Sequence, residues 1–95
     1  MKRRFSPPHR ERVLRLFGNR LRDLRTYRKL TQAQLGQKSG LDPTYLSGLE
    51  RGTRNPSLFI LARLAAGLHF PLSVLLIDVQ GDKEPPPSVR LKGVE

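Results

Sequence analysis

The sequence predicts an all-α fold of five short helices, and two kinds of observation support this prediction. Apolar residues recur at three- and four-residue spacings in several segments, which is the period of an amphipathic helix. Residues that favour the starts and ends of helices stand at the boundaries of these segments. No segment alternates apolar and polar residues convincingly, so strands are not expected.

The first helix is predicted to begin near Glu11. Leu14, Phe17, Leu21 and Leu24 follow one another at helical spacing and form one apolar face. Arginines occupy much of the remaining surface of this segment. We expect the apolar face to pack against the rest of the domain and most of these arginines to be solvated.

The second and third helices have clear boundary signals. The segment 31–34 is a Thr-x-x-Gln capping box that starts the second helix, and Gly40 suits the left-handed turn that ends it. Asp42 then caps the third helix, and Pro43 suits its first position. Gly52 marks the end of the third helix. Two short helices joined by a turn that contains glycine form a helix-turn-helix.

The fourth and fifth helices complete the predicted domain. The sequence Asn-Pro-Ser at 55–57 signals the start of the fourth helix, and Pro71 precedes a short fifth helix. Apolar residues are expected to line one side of each helix: Leu58, Leu61, Leu64, Ala65 and Leu68 in the fourth, and Leu72, Leu75 and Leu76 in the fifth. The chain then divides into a flexible basic arm at 1–10, a helix-turn-helix domain at 11–79 and a disordered, proline-rich tail at 80–95.

The charge of the chain favours a polyanionic partner. The 95 residues carry 18 Lys and Arg against 8 Asp and Glu, a formal net charge of +10. The first thirty residues hold eleven of the basic residues and two of the acids, so the excess is concentrated there. A local excess of this kind suits a nucleic-acid backbone, because each phosphate that is neutralised releases condensed counterions.

Several functional classes are disfavoured by what the sequence lacks. It has no cysteine, which argues against disulfides, zinc fingers and thiol chemistry. His9 and His69 are far apart and have no acidic cluster near them, so we expect neither a metal site nor a cofactor. We see no nucleophile–base constellation, and we expect no catalytic activity. No apolar run is long enough for a membrane span, so a cytoplasmic, nucleoid-associated protein is expected.

The pattern of the central segment resembles the Cro and lambda-repressor-like helix-turn-helix family. The matching motifs are Thr-Gln-x-x-Leu at 31–35, Gly40, Tyr-Leu-Ser at 45–47, Leu-Glu-Arg-Gly at 49–52 and Asn-Pro-Ser at 55–57. The resemblance covers about 17–76, nearly all of the predicted domain, and requires several positions to match at fixed spacing. It implies a five-helix, lambda-repressor-like domain that binds double-stranded DNA in a sequence-specific way and regulates transcription, as a repressor.

The resemblance implies which residues contact DNA. In this family the start of the third helix faces base edges in the major groove, so the base-reading positions are Pro43, Thr44, Ser47 and Gly48. Thr44 is the best candidate, because its hydroxyl donates or accepts and its methyl group can meet thymine. Neither Pro43 nor Gly48 can hydrogen-bond a base through a side chain, so shape readout or a basic arm in the minor groove is expected to supply further specificity.

Other positions are expected to hold the DNA backbone or the domain itself. The expected phosphate contacts are Gln32, Gln37, Lys38, Arg51 and Arg54, and the arm would add Lys2, Arg3, Arg4 and Arg10. The resemblance also implies a structural ion pair between Arg25 and Glu50. Lys29 and His69 stand where the family commonly has a turn glycine, and Gly36 stands where alanine is common.

Two further expectations concern partners. The protein is expected to bind DNA as a homodimer on half-sites about 10 base pairs apart or a multiple of that distance, with Val74 and Ile77 in the dimer interface. An alternative is an antitoxin-type module that binds a toxin through the arm or the tail and represses its own operon. A third reading is a binder of RNA or of a membrane surface that uses the basic first helix, but this leaves the helix-turn-helix pattern unexplained.

Overall fold

A computed structural model describes residues 7–80 of the chain as an all-α domain. Its helices are α1 (Pro7–Tyr27), α2 (Gln32–Ser39), α3 (Pro43–Arg51), α4 (Leu58–Leu68) and α5 (Leu72–Leu75). The described residues contain no strand. The predicted all-α class and the order of five helices are therefore confirmed. None of the helices within 7–80 has the length and hydropathy that crossing a membrane requires.

The first helix begins earlier than the sequence suggested. We expected an arm up to residue 10, but α1 already starts at Pro7 and includes Arg10. Proline cannot continue the interior of a helix, yet Pro7 and Pro8 are tolerated in a first turn, where no backbone N–H is needed for an internal hydrogen bond. Lys2, Arg3 and Arg4 of the expected arm lie outside the described residues, as does the tail from residue 81 onward.

The ends of α2 and α3 form as the local sequence predicts. The Thr31 hydroxyl accepts a hydrogen bond from the Gln34 backbone N–H at 3.0 Å, and the Gln34 side chain accepts one from the Thr31 N–H at 2.8 Å. Asp42 caps α3 by accepting from the Thr44 N–H at 2.7 Å. Gly40 and Gly52 end the two helices with φ angles of 72° and 80°. These contacts fix both ends of the helix-turn-helix.

Three positions depart from the family pattern. Lys29 and His69 both adopt a φ of 60°, so two non-glycine residues occupy left-handed turns. Gly36 stands where alanine is common, and glycine in a helix interior ordinarily costs about 0.5–1 kcal/mol relative to alanine. A Cβ atom at Gly36 would instead lie 2.5 Å from the carbonyl oxygen of Leu41, inside van der Waals contact. Glycine is therefore required there by the close approach of the turn after α2.

The core is made mainly of leucines from all five helices. The predicted apolar face of α1 is buried, and α1 packs on α3 while α4 packs on α2 and α5. The leucines with the lowest exposure are Leu21, Leu35, Leu46, Leu49, Leu64, Leu68 and Leu75. Burying a leucine side chain contributes about 1.5–3 kcal/mol, so this cluster is the main source of the domain's stability.

Three apolar residues are placed differently from expectation. Leu58, expected inside, is 69% exposed because it lies in the first turn of α4, ahead of the part that packs on α2. Leu76, also expected inside, is 39% exposed just after α5. Val74, for which the sequence indicated no core position, is half-buried against the core, while its place in a dimer interface stays a prediction. Ile77 is 47% exposed.

Candidate nucleic-acid interface

The start of α3 presents a rigid, exposed surface. Pro43 and Thr44 are exposed in the first turn, and the bond from the Thr44 N–H to the Asp42 side chain holds that turn in place. The body of α3 is anchored by Leu46 and Leu49, which are fully buried. A side chain at Thr44 is thus displayed outward from a helix whose opposite face is locked in the core.

The other two positions expected to read bases differ from each other. Ser47 is half-buried, and its hydroxyl accepts a hydrogen bond from the Arg51 guanidinium one helical turn later. Gly48 is buried, and a Cβ atom there would lie 2.8 Å from Cγ of Arg54. The loop after α3 folds back over Gly48, which removes this position from the exposed face. This placement disfavours a base contact at Gly48, whose expected role stays a prediction.

A surface groove of about 440 Å³ lies beside the exposed face of α3. It is bounded by residues from three helices, and most of them are polar or positively charged. Those residues are Arg15, Asn19 and Arg22 of α1, Gln32 of α2, and Ser47, Glu50 and Arg51 of α3. The structure therefore brings together Gln32, Ser47 and Arg51, which the sequence placed at separate phosphate-binding and base-reading positions.

The ion pair between Arg25 and Glu50 lies next to this groove. Arg25 donates from Nε to Glu50 Oε2 at 2.6 Å and from Nη2 to Oε1 at 2.9 Å, and its Nη1 donates to the carbonyl of Leu30 at 2.8 Å. The side chains are 13% and 4% exposed. The hydrogen bond to Glu50 is the main reason why the pKa of Arg25 is raised above its usual value. The pair joins α1 to the end of α3.

Gln32 extends this pair to the start of α2. Its Nε2 donates to Glu50 Oε1 at 3.1 Å, so Glu50 holds residues of α1 and α2 from its own position on α3. The Gln32 side chain, expected to hold a phosphate, is thus engaged within the protein. Its position on the groove still places it beside Ser47 and Arg51. A phosphate contact through its amide would require this bond to be shared or exchanged.

The remaining expected phosphate contacts are exposed but lie apart from the groove. Gln37 and Lys38 border a second depression with Leu30 and Gln34, on another face of α2. Arg54 is exposed in the loop after α3, and its aliphatic stem covers Gly48. These residues do not share one continuous site with Gln32 and Arg51.

Several arginines outside the expected DNA-contact positions have specific structural partners. Each donates to backbone carbonyls at the end of another helix, where carbonyls lack partners within the helix and carry partial negative charge. Arg20 donates to the carbonyl of Val74 at 2.9 Å, Arg28 to that of Leu68 at 2.8 Å and Arg63 to that of Ser39 at 3.0 Å. Part of the positive charge therefore stabilises the fold. No local pattern signals this role, because each target is distant in the sequence.

Comparisons with known proteins agree with this geometry. A family model described as "Helix-turn-helix domain" matches residues 16–75. The chain is 42% identical over 65 residues to control protein C.MunI of Mycoplasma sp., covering 67% of this chain and 88% of that protein. It is 41% identical over 59 residues to the immunity repressor protein of Bacillus phage phi105, covering 62% of this chain and 41% of that one.

Solved structures show the same fold. The restriction-modification controller protein C.AhdI from Aeromonas hydrophila superposes with a TM-score of 0.63 at 44% identity, over 66% of this chain and 94% of that one. The clp gene regulator ClgR from Corynebacterium glutamicum gives a TM-score of 0.68 at 31% identity, over 70% and 86% of the two chains. These names favour a regulator over the antitoxin alternative. The chain belongs to the Cro and lambda-repressor-like helix-turn-helix family of DNA-binding transcriptional regulators.

Proposed function

We propose that the protein represses transcription by binding a specific duplex DNA sequence with α3 in the major groove. The observation that carries this proposal is the exposed first turn of α3, where Thr44 projects from a helix held by the Asp42 cap and by buried leucines. A side chain on a rigid support can select a base, because a wrong base leaves it without a hydrogen-bonding partner. Similar proteins that are named as a repressor and as a control protein support a role in regulating transcription.

Phosphate contacts would position the protein on this duplex. Arg51, exposed at the end of α3, and Gln32, at the start of α2, border the groove beside the recognition surface. Such contacts orient the protein but carry no sequence information. Base readout through Thr44 and backbone binding through Arg51 are therefore separable by mutation. We place this activity on nucleoid DNA in the cytoplasm and assign the protein no catalytic step.

The protein is proposed to act as a homodimer on two related half-sites. Leu76 and Ile77 expose apolar surface next to α5, which makes this end of the domain suitable for a second copy. A two-fold arrangement would place the two α3 helices in successive major grooves, about 10 base pairs apart or a multiple of that distance.

The test is fluorescence-anisotropy binding to a duplex obtained by in vitro selection and to a shuffled duplex of the same composition. Wild-type protein should prefer the selected duplex by about 10³-fold or more at physiological salt. Thr44→Ala should reduce this preference by about 1 kcal/mol, the net value of one hydrogen bond between neutral groups. Arg51→Gln, its control, should weaken both duplexes alike. Equal binding of the wild-type protein to both duplexes would refute sequence-specific recognition.

A further inference from the structure

The groove beside α3 exists because α1 and α3 approach each other at backbone distance. A Cβ atom at Gly18 would lie 2.5 Å from the carbonyl oxygen of Glu50 and 2.6 Å from that of Leu49, so a larger residue would force the helices apart. This contact places the exposed residues of α1 directly across from the last turn of α3. Arg15, Asn19 and Arg22 recur at four- and three-residue spacing, which puts them on one face of α1.

The groove is positively charged, and its arginines keep hydrogen-bond donors for a ligand. Three arginines border it, and Glu50, the single acid among its lining residues, is already paired with Arg25. Two of these guanidiniums donate hydrogen bonds to neutral side-chain oxygens. Arg22 donates to Asn19 Oδ1 at 3.4 Å, and Arg51 donates to the Ser47 hydroxyl. A guanidinium has five N–H donors, so one neutral oxygen leaves most of them for an anion.

We propose that one phosphodiester strand of the bound duplex lies in this groove, with Arg15 and Arg22 of α1 contacting it opposite Arg51 of α3. This inference rests on the proposed function and adds α1 to the DNA-binding surface. Arg15 and Arg22 are separated by about 10 Å along the helix axis, from the rise of about 1.5 Å per residue. That separation is too large for both side chains to share one phosphate by necessity, and phosphates of one strand follow each other about every 3.4 Å along the duplex axis, so the two arginines can contact different phosphates.

The location of the groove favours the DNA backbone over another anion. Its α3 side contains Ser47 and Arg51, which lie on the same helix as Thr44. When the base edges of a duplex face the first turn of α3, the adjacent backbone of that duplex therefore lies near these residues. An acidic protein segment has no comparable reason to be there. Binding of such a segment is the alternative outcome of the test, because substitutions in α1 would then leave DNA binding unchanged.

The test is the salt dependence of binding to the selected duplex, measured for wild-type protein, Arg15→Gln/Arg22→Gln and Arg15→Lys/Arg22→Lys. Each phosphate contact contributes about 0.9 to the slope of log affinity against log salt, so losing two contacts flattens the slope by about 1.8. Between about 50 and about 200 mM salt, the wild-type affinity should then fall about 12-fold more than that of the glutamine variant. The lysine variant keeps both charges and should keep most of the slope. Lys29→Asn, which removes an exposed charge outside the groove, is the control.

The outcomes separate this inference from the proposed function. A flatter slope in the glutamine variant, with the preference for the selected duplex preserved and Lys29→Asn unchanged, supports a backbone contact by α1. An unchanged slope in the glutamine variant, or the same change per removed charge in Lys29→Asn, overturns the inference while leaving the proposed function intact. If the wild-type protein itself shows no preference for a selected duplex, the proposed function fails first. Thermal unfolding of each variant, followed by circular dichroism, checks that the exposed substitutions leave the fold intact.

Discussion

Replacing Glu50 by leucine should lower the stability of the domain strongly. Glu50 is 4% exposed and accepts two hydrogen bonds from Arg25 and one from Gln32. Leucine keeps most of the volume but removes every acceptor. Nε and Nη2 of Arg25 would then lose their partners in a site where its side chain is 13% exposed.

The expected cost follows from the bonds that are lost. Hydrogen bonds to charged groups contribute about 1.5–3 kcal/mol each, and breaking a buried pair by removing one partner costs about 3–5 kcal/mol. We therefore expect Glu50→Leu to lower the free energy of unfolding by about 3–5 kcal/mol. The double variant Arg25→Met/Glu50→Leu removes the stranded charge as well and should lose about 1–2 kcal/mol, since it leaves the Leu30 carbonyl without its donor.

Urea unfolding followed by far-UV circular dichroism measures these differences, and Arg25→Met completes the double-mutant cycle. The coupling energy between the two positions should be about 2 kcal/mol or more. Two results would contradict it: a cost below about 1 kcal/mol for Glu50→Leu, or a double variant as unstable as the single one. Either would mean that water or a neighbouring residue satisfies Arg25 and that the pair does not hold the helices together.

Three further predictions follow from the backbone and the surface. His69→Gly should raise the free energy of unfolding by about 0.5–1 kcal/mol, because glycine adopts a φ of 60° without the strain of a side chain. Thermal unfolding measures this gain, and a loss of stability would contradict the prediction. Gly36→Ala should lower the free energy of unfolding by more than about 1 kcal/mol, since the alanine Cβ would lie 2.5 Å from the Leu41 carbonyl oxygen. This cost should exceed the gain from the better helix propensity of alanine. A more stable variant in urea unfolding would refute the prediction. Ile77→Glu should shift sedimentation on DNA from dimer to monomer, with wild-type protein as the reference, and an unchanged profile would exclude this surface from the interface.

Features that depend on neighbouring residues were predictable from the sequence. The caps at Thr31 and Asp42 form as expected because their partners lie two or three residues away. The apolar face of α1 was recognised for the same reason, since its spacing repeats within one helix. The ion pair between Arg25 and Glu50 was reached through the family resemblance, and the structure confirms it.

Features that depend on tertiary contacts were not predictable in this way. Gly48 is covered by Arg54 because the loop after α3 folds back, and the sequence of α3 alone does not show this. Arg28 and Arg63 reach carbonyls 40 and 24 residues away, so no local pattern distinguishes them from solvated arginines. Arg15 and Arg22 border the groove because of the close contact at Gly18, which becomes visible once the helices are packed.

Recognition of a specific duplex sequence by this domain can be measured by in vitro selection from a random duplex library at physiological salt. The selection should enrich one sequence family with two inverted half-sites whose centres are about 10 base pairs apart or a multiple of that distance. Repeating the selection with Thr44→Ala should relax the enriched base at one position in each half-site. A library that binds but shows no enriched sequence would contradict sequence-specific recognition and leave a nonspecific, electrostatic DNA binder.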